Sequence, residues 1–404
     1  MTNTKIFFEN GEGNKLAGYL ELPLDQKPHN FILMAHCFTC DKNFHRVRNI
    51  SKSLTLKGFG VLRFDFTGLG ESEGDFSDSN FSGNVEDLIA AAGFLKREYK
   101  SPSMIIGHSF GGAAAIFASA LLPEVKALAT IGTPSSLDHV THLLSEGLEK
   151  INKTGQAIVN IGGRPFEIKR QFLEDLETKD LKKVIAGLRK SILILHSPQD
   201  NIVEIKNAEE LYKAARHPKS FISLDGANHL LSKREDSHYV GEVIGTWAYR
   251  YLDIPEAPQP KTTHEVVAQL EEEGFTTYLK AGNHQLIADE PKEFGGSDFG
   301  PTPYDYLSAA LAACTSMTLQ MYARRKKWPV GIVETHVNHS KTHALDCEHC
   351  DEGKAKLDTF ERIITFTEDL EKEQINRLIE IADKCPVHKT LHNKVNIITG
   401  HKTK

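Results

Sequence analysis

Gly107-His108-Ser109-Phe110-Gly111 follows the short apolar run Met104-Ile105-Ile106 and opens an Ala-rich stretch over 110–121. Strand, tight turn and helix make the setting in which a G-x-S-x-G serine acts as a nucleophile. The turn puts the serine into a strained backbone conformation, so its neighbours must be small, and Gly107, Gly111 and Gly112 meet that need. A serine hydroxyl is a weak nucleophile and needs a base, itself oriented by a carboxylate. Both are expected at the ends of later strands, acid before histidine. The run 192–195 ends in His196-Ser197-Pro198-Gln199-Asp200, and the run 221–224 in Asp225-Gly226-Ala227-Asn228-His229. Asp200 and His229 are therefore the expected partners of Ser109, with Asp225 as the competing acid. Two amides must receive the oxyanion. The expected donors are Phe110 N–H, next to the nucleophile, and Phe38 N–H in the loop His36-Cys37-Phe38-Thr39-Cys40. His45, His108, His139, His142, His196 and His238 read as packing or surface residues.

Outward from that turn, apolar runs at 31–35, 61–64, 104–106, 127–131, 192–195 and 221–224 alternate with amphipathic segments at 43–57, 84–99, 110–121, 204–216 and 233–251. That rhythm predicts an α/β fold, a mainly parallel sheet with helices on both faces. Leu16–Leu22 reads as one strand of an N-terminal hairpin. Ser232-Lys233-Arg234-Glu235 has the spacing of a capping box at the start of the last helix. Residues 135–187 break the alternation with mixed helical patterns and are expected to form a small lid.

Phe64-Asp65-Phe66-Thr67-Gly68-Leu69-Gly70-Glu71-Ser72-Glu73-Gly74 adds a second signature. With the elbow and the ordered acid and histidine, it makes residues 1–252 resemble the α/β-hydrolase superfamily, in particular its esterase-like and acyl-peptidase-like members. The resemblance implies cleavage of ester or related acyl bonds, with a peptidase or thioesterase as the alternative. Cys37 stands where such proteins usually carry glycine, which bears on the shape of the oxyanion loop. Cys37 and Cys40 form a C-x-x-C in that loop. They read either as two small half-buried thiols or as a redox pair whose disulfide would distort the loop and lower hydrolase activity.

Asp253-Ile254-Pro255-Glu256-Ala257-Pro258-Gln259-Pro260 holds three prolines in eight residues and begins a linker over 253–261. Beyond it, 263–290 reads as a three-strand meander and 303–326 as a long helix. Leu307, Ala310, Leu311, Cys314, Met317 and Met321 mark the expected buried face of that helix. Strands near 330–338 and 358–367, a helix at 371–383, an irregular Cys385-Pro386 turn and a last strand at 394–399 complete an α+β domain. Taken alone, Cys314 and Cys385 read as buried thiols, and their spacing does not bring them together.

Asp289-Glu290-Pro291, Gly295-Gly296, Pro303 through Cys314, and Cys385-Pro386-Val387-His388-Lys389-Thr390-Leu391 make residues 262–404 resemble the OsmC/Ohr family. That family reduces organic hydroperoxides with a cysteine pair and folds as an intertwined homodimer with active sites at the subunit interface. The resemblance implies that Cys314 is the peroxidatic thiolate, that Cys385 resolves its sulfenic acid, and that an external dithiol is the reductant. Its alternative is a non-catalytic ligand-binding or dimerisation domain. Well-studied family members carry a glutamate ten residues before the first cysteine, paired with an arginine. Here Tyr304 holds that place with Asp305 beside it, and the three early strands contain no arginine. A low thiol pKa requires a nearby positive charge or donors, so activation comes from elsewhere or is weak.

The segment with His336, His339, His343, Cys347, His349 and Cys350 contains enough ligand types for zinc but only one C-x-x-C. It reads as a labile thiol pair or a surface loop, with His343, Cys347 and Cys350 as the metal candidates and no cofactor assigned. Lys+Arg of 48 against Asp+Glu of 54 gives a net charge of -6 over 404 residues, and hence no general attraction to nucleic acid. The N-terminal MTNTKIFFENGEG lacks a signal-peptide pattern, and Phe110–Leu122 is too short to span a bilayer. A cytoplasmic enzyme with small acyl-ester and hydroperoxide substrates is the expectation.

Overall fold

The computed structural model describes residues 2–37, 41–137, 145–161, 164–343 and 356–401. They form two compact units, 1–257 and 258–404, which divide inside the proline-rich stretch.

The first unit is built on strands β1 (Thr2–Glu9), β2 (Lys15–Leu22), β3 (Asn30–Ala35), β4 (Phe59–Phe64), β5 (Pro102–His108) and β6 (Ala127–Ile131). Beyond an inserted hairpin of β7 (Gln156–Ile161) and β8 (Arg164–Lys169) come β9 (Ser191–His196) and β10 (Lys219–Ser223). The eight-stranded sheet runs in the order β1-β2-β4-β3-β5-β6-β9-β10. The β1–β2 and β2–β4 pairs are antiparallel, and from β4 onward every pair is parallel. Every residue of β3, β5, β6 and β9 is buried, because helices cover both faces. Val47, Ile50 and Leu54 of helix His45–Thr55 and Val240, Ile244 and Ala248 of helix Arg234–Tyr251 fill one face. Helices Phe81–Glu98, Phe110–Leu121, Leu181–Gly187 and Lys206–Ala214 fill the other.

Two local expectations fail here. Helix Arg234–Tyr251 is capped at Lys233 without a side-chain bond, so the expected capping box does not form. Ser232 is instead engaged by Asn228, whose carboxamide bonds both its amide and its hydroxyl. The insertion is not simply helical, since β7 and β8 pair between helices Ser145–Thr154 and Arg170–Glu177. Ile151, Val159, Ile168, Phe172, Leu176 and Ile185 join the main core, which anchors the insertion to the body of the unit.

The second unit opens with the antiparallel meander β11 (Val266–Leu270), β12 (Thr277–Ala281) and β13 (His284–Ala288). Helix Pro303–Lys326 follows, with Thr302 and Asp305 in a reciprocal capping box. Asp305 is thereby committed to the helix start, which answers one question raised by its place beside Tyr304. The buried residues of this helix are Leu311, Thr315, Leu319 and Ala323. Leu307, Met317 and Met321 are exposed, contrary to the expected stripe, because the described residues cover only the flank that carries Leu311, Thr315, Leu319 and Ala323. Strands β14 (Val333–His343) and β15 (Lys356–Phe366) pair antiparallel and run longer than expected. Helices Lys372–Ala382 and Pro386–His392 follow, the second formed where an irregular turn was expected. The expected strand at 394–399 is absent. Among the described residues nothing pairs with it, and Val395, Ile397 and Ile398 are exposed.

Candidate active site

The end of β5 turns into helix Phe110–Leu121 through Ser109, whose backbone has φ 55 and ψ -125. A non-glycine residue in that region is strained by about 1–3 kcal/mol. The strain is held from several sides. Ser109 N–H donates to Ile131 carbonyl in β6 at 2.8 Å, and Gly112 N–H donates to Ser109 carbonyl at 2.9 Å. A Cβ on Gly111 would lie 2.1 Å from His36 carbonyl oxygen, so the loop after β3 packs directly on the elbow. Gly111→Ala should therefore destabilise the unit by about 1–3 kcal/mol or more, through overpacking, a loss readable as a lower urea midpoint at constant slope.

Ser109 Oγ, half-buried, lies 3.0 Å from His229 Nε2, and His229 Nδ1 lies 2.7 Å from Asp200 Oδ2. The carboxylate fixes the proton on Nδ1, which leaves Nε2 free to accept from the serine. The other Asp200 oxygen accepts the amides of Ile202 and Val203, both at 2.9 Å. Burial pushes the Asp200 carboxyl up, but the His229 hydrogen bond and charge and the two amides outweigh it, and it settles below its usual value. Gly132, at φ 54, keeps the approach open, since a Cβ there would sit 3.3 Å from both Asp200 Oδ2 and His229 Nδ1. The two loops are also tied together. Ser197 Oγ donates to Ala227 carbonyl at 2.6 Å, and Gly226 N–H donates to Gln199 Oε1 at 2.7 Å. Asp225 is exposed and bonded to Ser223.

His108 and His196 serve this constellation as braces. His108 Nε2–H donates to His229 carbonyl at 2.8 Å, and His196 Nε2–H to Val203 carbonyl at 2.7 Å. Burial pushes both imidazoles down, His108 far below its ordinary value, so each is held neutral. A cavity of about 530 Å³ is lined by Phe44, Arg46, Leu230 and Leu231, the last two directly after His229.

Cys37 is buried and disulfide-bonded, so it is not a half-buried thiol. Phe38 and Cys40 lie outside the described residues, as do His139 and His142. Phe110 is buried and packs its ring against Phe81 and Phe172. Residues that sequence reasoning missed stand just beyond the loop after β3. Lys42, fully buried, pairs with Asp65 at 2.5 Å and Glu71 at 2.6 Å, and its amide donates to Asp65 at 2.7 Å. Arg63, itself paired with buried Glu21, donates to the Lys42 carbonyl. The Phe64–Gly74 signature is thus partly a clamp on this loop. An aspartate inside a known motif was a visible signal, but nothing in the spacing named Lys42 as its partner.

In the second unit, Cys314 on helix Pro303–Lys326 and Cys385, which caps helix Pro386–His392, are both free and close enough to influence each other's ionisation. Cys314 is half-buried and Cys385 fully buried. Burial, and then Cys385, pushes the Cys314 thiol up. Burial works the same way on Cys385, but hydrogen bonds from Cys314, the His388 amide, Thr315 and the Val387 amide outweigh it and leave that thiol below its ordinary value. Tyr304 stacks on His339 at 4.3 Å. His339 Nε2 lies 2.8 Å from Asp358 Oδ1. His336 and His343 lie on β14, while Cys347, His349 and Cys350 are outside the described residues. Among the described residues no group of three or more His, Cys, Asp or Glu side chains is placed to hold a metal, and no helix is long and apolar enough to cross a membrane.

Two family models match separate stretches of the chain. The family model described as serine aminopeptidase, S33, matches residues 26–157, and that of OsmC-like protein matches residues 295–400. The esterase domain of a Rhodothermus marinus protein is 49% identical with a TM-score of 0.53, covering 62% of this chain and 99% of that domain. An uncharacterised protein of Rickettsia prowazekii is 30% identical over 138 residues, 33% of this chain and 57% of that protein. The mouse mitochondrial palmitoyl-protein thioesterase ABHD10 is 24% identical over 201 residues, 48% of this chain and 65% of that protein. This chain thus spans less than two thirds of the length of either curated relative. The first unit belongs with the esterase-like α/β hydrolases, and the second unit matches the OsmC-like family over residues 295–400.

Proposed function

We propose that the first unit is a serine esterase-type hydrolase of small acyl esters. Ser109 is the nucleophile, His229 the general base and then acid, and Asp200 the residue that orients and stabilises the imidazolium. Phe110 N–H and Phe38 N–H are the oxyanion donors. The observation that carries this reading is the unbroken chain from Ser109 Oγ through His229 to Asp200, at 3.0 and 2.7 Å. The serine attacks the acyl carbon while Nε2 takes its proton, and the same proton then leaves with the alcohol. Water repeats the sequence on the acyl-enzyme. Asp200→Asn should lower kcat for p-nitrophenyl acetate by about 10⁴-fold by favouring the wrong tautomer. Asp225→Asn should change it by less than about twofold, as for an exposed residue off the site. Equal losses in the two variants would overturn the assignment of the acid.

A thioester as the natural substrate is the second reading, favoured by the likeness to the palmitoyl-protein thioesterase. Parallel assays on a p-nitrophenyl ester, an acyl thioester and an aminoacyl p-nitroanilide separate esterase, thioesterase and peptidase.

For the second unit we propose a cysteine-dependent organic hydroperoxide reductase that works as a homodimer and is recycled by an external dithiol. Cys314, the more accessible thiol, attacks the terminal peroxide oxygen, the O–O bond breaks, and an alcohol leaves. Cys385 then attacks the Cys314 sulfenic acid to form a disulfide and release water. The adjacency of the two free thiols supports the chemistry. The apolar side chains left open on one copy, Met317, Met321, Ile397 and Ile398 among them, support a second subunit.

A further inference from the structure

The cavity of about 530 Å³ beside the triad is built by two helix starts and the loop that carries the base. Phe44 and Arg46 enter it from the beginning of helix His45–Thr55, Leu230 and Leu231 from the loop directly after His229, and Arg234 from the beginning of helix Arg234–Tyr251. Its walls are apolar and its charged lining is basic. Among the described residues no aspartate or glutamate borders it. Arg46 is only 6% exposed. Its guanidinium carbon lies 3.8 Å from the centre of the Phe44 ring, and Nη1 donates to the Leu230 carbonyl, so a buried cation is fixed to the residue after the base. Burial pushes that guanidinium down to about 10 against the charge of Asp41, and it stays protonated at neutral pH. Burial, then His229, then Arg46 push the His108 imidazole down, so the Arg46 charge is felt at the residue before Ser109. Asp41 accepts the Asn43 amide at 2.8 Å, and Glu235 and Asp236 lie in the first turn of helix Arg234–Tyr251; none of the three lines the cavity. Helix His45–Thr55 has no acid in its first turn and no side-chain cap, so its first amides add positive partial charge at the same end. Arg234 donates from Nε to His238 Nε2 at 3.2 Å and stands exposed at the rim.

We propose that this cavity is the specificity pocket of the hydrolase and that it receives a carboxylate carried by the ester substrate, with Arg46 as its main partner and Arg234 as an outer one. The substrate class is then an ester with an anionic end, on its acyl chain or on its alcohol. A neutral ester would leave a buried guanidinium facing apolar walls. A carboxylate accepts charge-assisted hydrogen bonds from it and offsets the cost of its burial. Phe44, Leu230 and Leu231 suit the methylene or aromatic part that joins the ester to that charge. Arg46 and Arg234 set specificity. They take no proton and touch no reacting atom. The proposal rests on the serine-hydrolase reading and adds to it the charge of the substrate.

The test uses two pairs of esters on the full chain. Mono-p-nitrophenyl glutarate and p-nitrophenyl valerate share a chain length and differ in a terminal carboxylate on the acyl side. The 4-acetoxybenzoate anion and its methyl ester differ in a carboxylate on the leaving phenol. Wild type should favour the anionic member of at least one pair through KM, and the pair that shows it tells which end of the substrate fills the cavity. In Arg46→Gln that preference, taken as the ratio of kcat/KM for anionic over neutral ester, should fall by about tenfold or more, as for a lost charge-assisted hydrogen bond. Arg46→Lys keeps a cation and should recover part of the ratio, a rescue that mere damage to the His229 loop would not show. Arg234→Gln should lower the ratio by about threefold, since that guanidinium is exposed. No charge preference in either pair, or one that survives unchanged in both Arg46→Gln and Arg234→Gln, would overturn the proposal and leave the hydrolase standing. Calorimetric titration of Ser109→Ala with monomethyl glutarate and with 4-acetoxybenzoate reads the cavity without turnover. Saturable binding of either, abolished by adding Arg46→Gln, beside a wild type that hydrolyses none of the four esters, would keep the anion site and sink the hydrolase.

Discussion

Ser109→Ala is expected to lower turnover of p-nitrophenyl acetate by about 10⁴-fold or more and to abolish the acyl-enzyme burst, because the residual rate of a triad enzyme without its nucleophile comes only from binding and the oxyanion site. The size follows from the arrangement. The nucleophile, its base and the orienting acid act as one unit, so removing any one costs nearly as much as removing all. The fold should persist. Ser109 makes no side-chain cap to its helix, and its oxygen is spent on His229. Its strained φ is carried by the backbone bonds to Ile131 and Gly112, which alanine keeps. The unfolding free energy should change by less than about 1 kcal/mol, measured by urea titration. A variant that lost both rate and stability would say only that the elbow had collapsed, so the two measurements belong together.

Cys314→Ser is expected to bring consumption of cumene hydroperoxide in the presence of a dithiol down to the uncatalysed rate. Serine at that position has no sulfur to oxidise and too high a pKa to replace it. Cys385→Ser should differ in kind. It retains a sulfur that can attack once, so sulfenic acid on Cys314 should accumulate and be trapped by dimedone. Neither change should alter ester turnover by more than about twofold, since the two sites belong to separately packed units. Peroxide consumption untouched by Cys314→Ser would end the reductase reading and leave the hydrolase intact.

How much was legible depended on how local the determinant was. The elbow could be read because strand, serine and helix are contiguous and its glycines are demanded by sterics that one short stretch reveals. Asp200 and His229 could be read because the parallel order of the sheet delivers strand ends to one edge. By contrast, the Lys42 clamp joins residues 23 positions apart, and an ion pair of that kind leaves no periodicity. The β7–β8 hairpin was hidden because Gln156–Ile161 has only a short apolar run, Ala157 to Val159, which either element accommodates. The buried face of helix Pro303–Lys326 was misjudged for a different reason. Apolar spacing marks a stripe without saying what covers it, and Leu307, Met317 and Met321 are exposed. The residues expected as a strand at 394–399 likewise form no ladder with the described strands. That Cys314 and Cys385 meet, and that Arg362 reaches Thr315 across 47 residues of sequence, depends on tertiary packing alone.

The central claim is that the elbow carries the reacting oxygen. A fluorophosphonate probe, which phosphonylates only a serine activated by a neighbouring base, tests it most directly. Intact-mass and peptide mapping after labelling should find one adduct, on Ser109, formed by folded protein and absent after denaturation or in His229→Ala. An adduct on another residue, or ester hydrolysis that continues at full rate with position 109 unlabelled, would contradict it.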